Sequence, residues 1–163
     1  CKEILQRLSK NPLKIKDKFL NKVKLTDLIK INFEKFNKGK SLNMKKTLIT
    51  DEPEIIYKDE IMYALGNIIQ NAIFHCKSIV TVSIIYTDLS VKIIITDDGN
   101  GFSKEIIDKL GEPYISKNTE GMGLGIFISK NLIENMGGKL SFYNSIDENA
   151  VVEIVFHNSI LNI

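Results

Sequence analysis

The chain reads Gly121-Met122-Gly123-Leu124-Gly125 where an apolar helical pattern begins, and Gly137-Gly138 closes that pattern. Glycine lets a backbone come close to a ligand because it has no side chain to collide with it. The first turn of a helix also presents unpaired N–H groups and the positive end of the helix dipole. The segment therefore predicts a site for phosphate groups at the start of a helix.

The composition is typical of one soluble globular domain. The 163 residues are 44% hydrophobic and 26% charged, and the net charge of +2 is too small to indicate a nucleic-acid partner. No apolar run reaches the ~20 residues of a membrane span, and no signal peptide is visible. Cys1 and Cys76 do not indicate a disulfide scaffold, and Cys76 is expected to be a buried free thiol. Because the chain starts with Cys1, we expect it to be part of a longer protein.

The spacing of apolar residues predicts a mixture of helices and strands. Helical spacing occurs at Leu25–Phe33, Asp59–Cys76 and Ser103–Lys109, and again after the glycines. Segments rich in β-branched residues predict strands at Lys45–Thr50, Ile55–Tyr57, Ile79–Tyr86, Val91–Asp97, Lys139–Asn144 and Ala150–Phe156. The third and fourth of these strands are expected to form a hairpin, and residues 110–120 are expected to form a long loop.

The helix predicted at Asp59–Cys76 carries two asparagines, Asn67 and Asn71, at positions four residues apart. This spacing places both amides on one face of the helix. Asparagine is a modest helix former, so its presence twice on an apolar helix needs a reason. One interpretation is that the amides are exposed or bonded within the core. The other is that the Asn71 side-chain oxygen binds a hard cation such as Mg²⁺, beside substrate phosphates.

A second motif, Asp97-Asp98-Gly99-Asn100-Gly101, follows a predicted strand. The two-residue period of that strand places Asp97 on its apolar face and Asp98 on its mixed face. A carboxylate that faces a core needs donors, and the exocyclic amine of adenine is one. An aspartate in an ordinary turn is the alternative interpretation. Gly99 and Gly101 are expected to let the backbone turn around a flat ring.

The third motif is the loop that ends in the glycine-led helix. Lys117 in this loop is either a cation for phosphate or a solvated lysine. An alternating-glycine run alone is a weak signal. The specific signal is the order of the three motifs, which are two asparagines on a helix, Asp-x-Gly-x-Gly after a strand, and Gly-x-Gly-x-Gly before a helix.

With these three motifs, residues 25–157 resemble the ATP-binding catalytic domain of sensor histidine kinases, in the gyrase, Hsp90, histidine kinase and MutL (GHKL) type of ATPase. Asn67–Ala72 resembles the N box of that family, and the two glycine motifs resemble its two glycine boxes. Gly111-Glu112-Pro113-Tyr114 is similar to the aromatic box in the ATP lid. The segment 110–116 and the Cys-x-x-Ile-Leu start are similar to redox-responsive kinases of the RegB type.

The resemblance implies an α+β fold, a two-layer sandwich in which a mixed, mostly antiparallel sheet packs on three helices beside an ATP lid. It implies a catalytic domain at 13–163, preceded at 1–12 by the tail of a dimerisation and phosphoacceptor helix pair. ATP and Mg²⁺ are the implied cofactors, and Asn71 is the implied metal ligand. The implied ATP-binding residues are Asn67, Asn71, Asp97, Gly99, Gly101, Lys117, Gly121, Gly123, Leu124 and Gly125.

The resemblance also implies a reaction, transfer of the ATP γ-phosphate to a histidine of a separate upstream domain and then to a response regulator. Gyrase-like members have a glutamate where Asn67 stands, and an amide cannot act as a base, which disfavours a hydrolase. Phe74 departs from the family, in which Lys or Arg is common at that position. Neither His75 nor His157 stands in a phosphoacceptor motif, so no catalytic residue is predicted within this chain.

The implied parent is a homodimer in the cytoplasmic membrane, with this domain in the cytoplasm and no nucleic-acid partner. The oligomeric state of this piece is left open. Two alternative functions also remain open at this point. One is a degenerate module that binds nucleotide for regulation, which Phe74 favours. The other is a serine kinase of the anti-sigma type, which the helical start at 1–9 disfavours.

Overall fold

The computed structural model describes residues 22–47, 51–109 and 124–163. The predicted helix at 1–9, the proposed boundary at residue 12 and the loop at 110–120 lie outside the described residues. The elements in chain order are β1 Lys22–Val23, α1 Leu25–Phe36, β2 Ser41–Thr47, β3 Ile55–Ile56, α2 Asp59–His75, β4 Ile79–Tyr86, β5 Ser90–Asp97, α3 Lys104–Ile107, α4 Leu124–Asn135, β6 Lys139–Asn144, β7 Ala150–His157 and α5 Asn158–Leu161.

Five strands form one sheet in the order β2-β4-β5-β7-β6. β2 pairs with β4 in parallel, and the other three pairings are antiparallel. A separate two-stranded sheet joins β1 to β3. The mixed, mostly antiparallel sheet that the family resemblance implied is confirmed, and so is the β4–β5 hairpin predicted from the residue pattern.

Three helices cover one face of the sheet. Alternate residues of β5 are buried, among them Val91, Ile93 and Ile95, as expected for a strand with one face against a core. α2 contacts both α1 and α4, and its buried residues repeat at helical spacing. The result is the predicted two-layer sandwich, and Cys76 is the buried free thiol that was expected. Within the described ranges, no helix has the length and apolar character to cross a membrane.

The structure differs from the sequence-based prediction at several element ends. β2 begins at Ser41, earlier than predicted, because the parallel pairing with β4 starts there, at the Ser41–Ile79 pair. The helix predicted at Ser103–Lys109 is only the single turn of α3. β1, with two residues, and α5, with four residues, were not predicted from the sequence.

Glu52 is a buried carboxylate that fastens the segment before β3 to the start of α1. It accepts hydrogen bonds from the Thr26 amide at 3.1 Å and the Thr26 hydroxyl at 2.7 Å. It also accepts from Tyr86 at 2.9 Å and from the Lys46 ammonium at 3.2 Å. Burial alone would raise the pKa of Glu52, but these hydrogen bonds outweigh burial and lower it.

We therefore expect Glu52 to make folding stability dependent on pH. A carboxyl whose pKa is lower in the folded state stabilises the fold above its unfolded pKa of about 4.3. That contribution is lost as the pH falls through the lower, folded-state pKa. Glu52→Gln should lower the free energy of unfolding at pH 7 by about 2 kcal/mol and flatten its decline in acid.

The measurement is chemical unfolding between pH 3 and 7, followed by circular dichroism. The matched control is Glu54→Gln, which changes an exposed glutamate two residues away. Equal pH dependence of the wild type and Glu52→Gln would contradict the assignment.

Candidate functional site

The face of α2 that carries Asn67 and Asn71 forms one wall of the site. Both residues are half-buried, and their spacing of four residues puts them on one face of α2. The Asn67 Nδ2 atom is buried and has no hydrogen-bond partner among the described residues. A buried amide donor without a partner is costly in a folded protein. Asn67 is therefore a donor available to a bound oxygen atom.

The first turn of α4 lies directly against Asn67. A Cβ added to Gly125 would lie 3.5 Å from the Asn67 side chain, an ordinary van der Waals distance, so the two helices are in direct contact here. Ser129, which is fully buried, donates its hydroxyl to the Gly125 carbonyl oxygen at 2.8 Å and lies 3.3 Å from the Ala64 carbonyl oxygen on α2. α4 begins at Leu124. The start of this helix is thus held beside the asparagine face of α2.

Asp97 lies at the end of β5 and is only 5% exposed, as its place in the strand period predicted. Among the described residues, the Gly99 amide donates a hydrogen bond to Asp97 Oδ1 at 2.8 Å. Burial raises the pKa of Asp97, and the neighbouring Asp98 charge adds to that rise. The Gly99 hydrogen bond and the nearby His75 oppose the rise without reversing it. A buried carboxylate with spare acceptor capacity suits a ligand that donates hydrogen bonds.

The two glycines after Asp97 have specific packing reasons. A Cβ on Gly99 would overlap the His75 carbonyl oxygen at the end of α2, so glycine lets the loop lie on that helix end. Gly101 has a φ of +73°, and a Cβ there would overlap the Glu148 carbonyl oxygen. Both glycines therefore bring backbone segments together, which adds a packing role to the one expected from the sequence.

A reciprocal pair of hydrogen bonds fixes the same loop to the end of β6. The Asn144 side-chain oxygen accepts a hydrogen bond from the Phe102 backbone amide at 2.8 Å. The Asn144 side-chain nitrogen donates one to the Phe102 carbonyl oxygen at 2.7 Å. The loop after β5 is thus held at both ends, by α2 on one side and by β6 on the other.

Asp98 has a structural contact that the sequence did not reveal. Its carboxylate accepts the amides of Lys77, Ser78 and Ile79 at 2.7–3.2 Å, and the Ser78 hydroxyl at 2.7 Å. Burial alone would raise the pKa of Asp98, but the hydrogen bonds outweigh it and lower the pKa to about 2. The sequence placed Asp98 on the mixed face of the strand and gave no signal for these partners.

Five other residues weighed in the sequence analysis are Lys117, Gly121, Gly123, Phe74 and His157. Lys117, Gly121 and Gly123 are outside the described residues. Phe74 is 53% exposed, and its ring meets the His75 ring edge-on at 5.0 Å. His157 lies at the start of α5, where its Nδ1 atom accepts a hydrogen bond from the Ser159 backbone amide. This contact is a structural role.

The side chains present fit a hard cation that is shared with a ligand. In the described ranges, no three His, Cys, Asp or Glu side chains are grouped to hold a metal. The asparagine face of α2 carries amide oxygens, of which the Asn71 oxygen is the one that the sequence analysis expected to bind a metal. Mg²⁺ is commonly bound by one or two protein oxygens together with waters and substrate phosphates, so this donor set suits Mg²⁺ with a phosphorylated ligand.

Comparison with known proteins places the chain in a family. The family model described as histidine kinase-, DNA gyrase B- and HSP90-like ATPase matches residues 57–160. Sensor histidine kinase RegB of Cereibacter sphaeroides is 36% identical over 107 residues, which are 59% of this chain and 23% of RegB. Sporulation kinase B of Bacillus subtilis is 33% identical over 120 residues, 69% of this chain and 28% of that kinase. The chain spans about a quarter of the length of these relatives.

Solved structures share the fold. The catalytic domain of histidine kinase ThkA superposes with a TM-score of 0.72 at 20% identity, over 83% of this chain and 93% of that chain. The mycobacterial sensor histidine kinase MprB gives a TM-score of 0.70 at 21% identity, over 83% and 95% of the two chains. These likenesses confirm the GHKL-type α+β fold.

Proposed function

The chain belongs to the histidine kinase-, DNA gyrase B- and HSP90-like ATPase family, and on that premise we propose that it binds ATP with Mg²⁺ as the catalytic domain of a sensor histidine kinase. The single observation that carries this proposal is the buried Asp97 carboxylate at the end of β5. It lies where the loop carrying Gly99 packs on the end of α2, the helix that carries Asn71.

Asp97 is proposed to bind the adenine end of the nucleotide. An ionised carboxylate only accepts hydrogen bonds, and the exocyclic amine of adenine donates them. Burial strengthens such a hydrogen bond because little water competes for the carboxylate. Gly99 and Gly101 support this contact by holding the loop backbone in place.

Asn71 and Asn67 are proposed to act at the phosphate end. The Asn71 amide oxygen would hold Mg²⁺, which supplies neutralisation of phosphate charge when bound. The unpartnered Asn67 Nδ2 would donate to a ligand oxygen. The first turn of α4, at Leu124 and Gly125, would offer backbone amides to phosphate. We extend this part of the site to Lys117, Gly121 and Gly123 on the family resemblance alone.

The proposed reaction is phosphoryl transfer by positioning. The bond between the γ-phosphorus and the bridging oxygen of ATP breaks, ADP leaves, and a bond forms to a histidine ring nitrogen. The displaced proton passes to solvent. Asn67 cannot accept a proton from water, so this chain's residues bind and orient the nucleotide and do not act as a base.

The acceptor histidine is proposed to lie in another domain of the parent protein. The chain has two histidines, and neither His75 nor His157 stands in a phosphoacceptor motif. We propose that residues 1–12 are the tail of that dimerising domain and that 13–163 is the catalytic domain. The parent is proposed to be a membrane-bound homodimer that passes the phosphate to a response-regulator aspartate.

Two measurements test this function. Calorimetric titration of the folded chain with ATP should show binding that is stronger with Mg²⁺ than without it. The parent protein with its upstream domain should become labelled from γ-labelled ATP, in an acid-labile form typical of a phosphorylated histidine. A folded chain that binds no ATP with Mg²⁺ present would overturn the proposal.

Asn71→Ala is expected to abolish most of the magnesium dependence of ATP binding. The substitution removes the side-chain oxygen assigned to the metal and leaves the adenine contact intact. Affinity for ATP with Mg²⁺ should fall by about tenfold or more, and affinity for metal-free ATP should change little. The control is Gln70→Ala, an exposed amide on the same helix. Equal losses with and without Mg²⁺ would remove Asn71 as the metal ligand.

A further inference from the structure

Asp98 joins the two elements that carry the proposed ligand contacts. α2 carries Asn71 and ends at His75, immediately before the turn to β4. The Asp98 carboxylate binds three successive amides of that turn and of the first residue of β4. Its own amide donates to the Ile79 carbonyl oxygen at 3.3 Å. One residue therefore links the end of the asparagine helix to the end of the strand that carries Asp97.

The same turn is bound from its other side by Lys40. The Lys40 ammonium donates to the Cys76 carbonyl oxygen at 3.2 Å and to the Lys77 carbonyl oxygen at 2.6 Å. The positive Lys40 ammonium is attracted to the negative ends of the carbonyl groups, and the negative Asp98 carboxylate is attracted to the positive ends of the N–H groups. The turn is thus fixed by charged contacts on two sides, and Asp98 supplies the contact nearer to Asp97.

The packing between the strand end and the helix end leaves little space for independent movement. Gly99 lies against the His75 carbonyl oxygen so closely that a Cβ would overlap it. Gly99 also donates to Asp97, so the Asp97 carboxylate is oriented by the residue that contacts the helix end. A shift of the turn would therefore move Asp97 relative to Asn71.

We infer that Asp98 is a positioning residue for nucleotide binding, which sets the spacing between Asp97 at the adenine end and Asn71 at the metal end. The inference rests on the proposed function of those two residues. Asp98 acts through them, with its carboxylate occupied by the turn. The hydrogen bonds to the turn lower the pKa of Asp98, so its carboxylate is ionised at neutral pH.

The test is a double-variant cycle measured by calorimetric titration with ATP and Mg²⁺. The proteins are the wild type, Asp98→Ala, Asp97→Asn and the double variant, each measured well below its melting temperature. Asp98→Ala is expected to weaken affinity by about tenfold. The loss of affinity from Asp98→Ala should be much smaller when Asp97 is already replaced. In that background the Asp97 contact that Asp98 positions is absent. Equal losses in both backgrounds would overturn the inference.

Further comparisons separate positioning from simple stabilisation and from failure of the proposed function. A purely structural Asp98 would lower the melting temperature of Asp98→Ala and leave its affinity at the wild-type value, which would overturn the inference. Asp98→Asn keeps an acceptor oxygen for the three backbone amides. Its affinity for ATP should therefore be lower than that of the wild type but measurable, and this comparison is available even if Asp98→Ala fails to fold. Unimpaired affinity in Asp98→Asn together with non-folding of Asp98→Ala would also overturn it.

Ser78→Ala removes the hydroxyl contact and keeps the three amide contacts, so its affinity should match the wild type. A tenfold loss in Ser78→Ala would assign the effect to the hydroxyl and contradict the role given to the amide contacts. A folded wild type that binds no ATP would overturn the proposed function itself, an outcome distinct from any change confined to the variants.

Discussion

Asp97→Asn is expected to weaken ATP binding by about tenfold to a hundredfold and to leave the unliganded fold at least as stable as the wild type. A hydrogen bond to a charged group contributes about 1.5–3 kcal/mol, which sets the expected loss. Because burial raises the pKa of Asp97, its ionised form costs folding stability at neutral pH. Asparagine removes that cost and can still accept the Gly99 amide.

Calorimetric titration and thermal unfolding of the same samples check this expectation. The matched control is Asp88→Asn, an exposed aspartate in the β4–β5 turn. The raised pKa adds a second readout, since ATP affinity should decline in acid at a higher pH than for an ordinary aspartate. Unchanged affinity in Asp97→Asn would remove this residue as the adenine contact.

Gly101→Ala is expected to destabilise the fold by about 3 kcal/mol. The left-handed backbone at φ +73° costs a residue with a Cβ about 1–2 kcal/mol. The added carbon would also overlap the Glu148 carbonyl oxygen, and forcing backbone apart in a packed region costs about 1–3 kcal/mol more. The displaced loop would strain the reciprocal hydrogen bonds between Phe102 and Asn144.

Gly39→Ala is a matched control that isolates the backbone cost. Gly39 has nearly the same φ, +77°, and a Cβ there would meet nothing within 4 Å. Gly39→Ala should therefore cost only about 1–2 kcal/mol. Urea unfolding of the two variants measures the difference. Equal destabilisation would show that the contact with Glu148 does not constrain the loop.

Features set by local periodicity could be predicted from the sequence. The two-residue period of β5 identified Asp97 as the inward-facing carboxylate, and the burial of that residue confirms it. The spacing of four residues placed Asn67 and Asn71 on one helix face. Each prediction needed only residues close together in the chain. The three-helix, mixed-sheet architecture came from the family resemblance and was confirmed by the solved folds.

Features set by distant partners could not be predicted in this way. Lys40 meets the end of α2 only because β2 pairs in parallel with β4. Asp98 binds amides that precede it by about twenty residues, and backbone amides leave no mark in a sequence. The need for glycine at position 101 comes from Glu148, which the β6–β7 turn brings close. No pattern within one element carries that information.

The parallel placement of β2 has one more consequence, for self-association. Among the described strands, β2 and β6 form the two open edges of the sheet, and open edges can recruit strands from another copy of a protein. Each edge carries an exposed lysine, Lys45 on β2 and Lys139 on β6. Two copies that approached edge to edge would bring these like charges together. These charges therefore disfavour edge-to-edge pairing between copies of the domain.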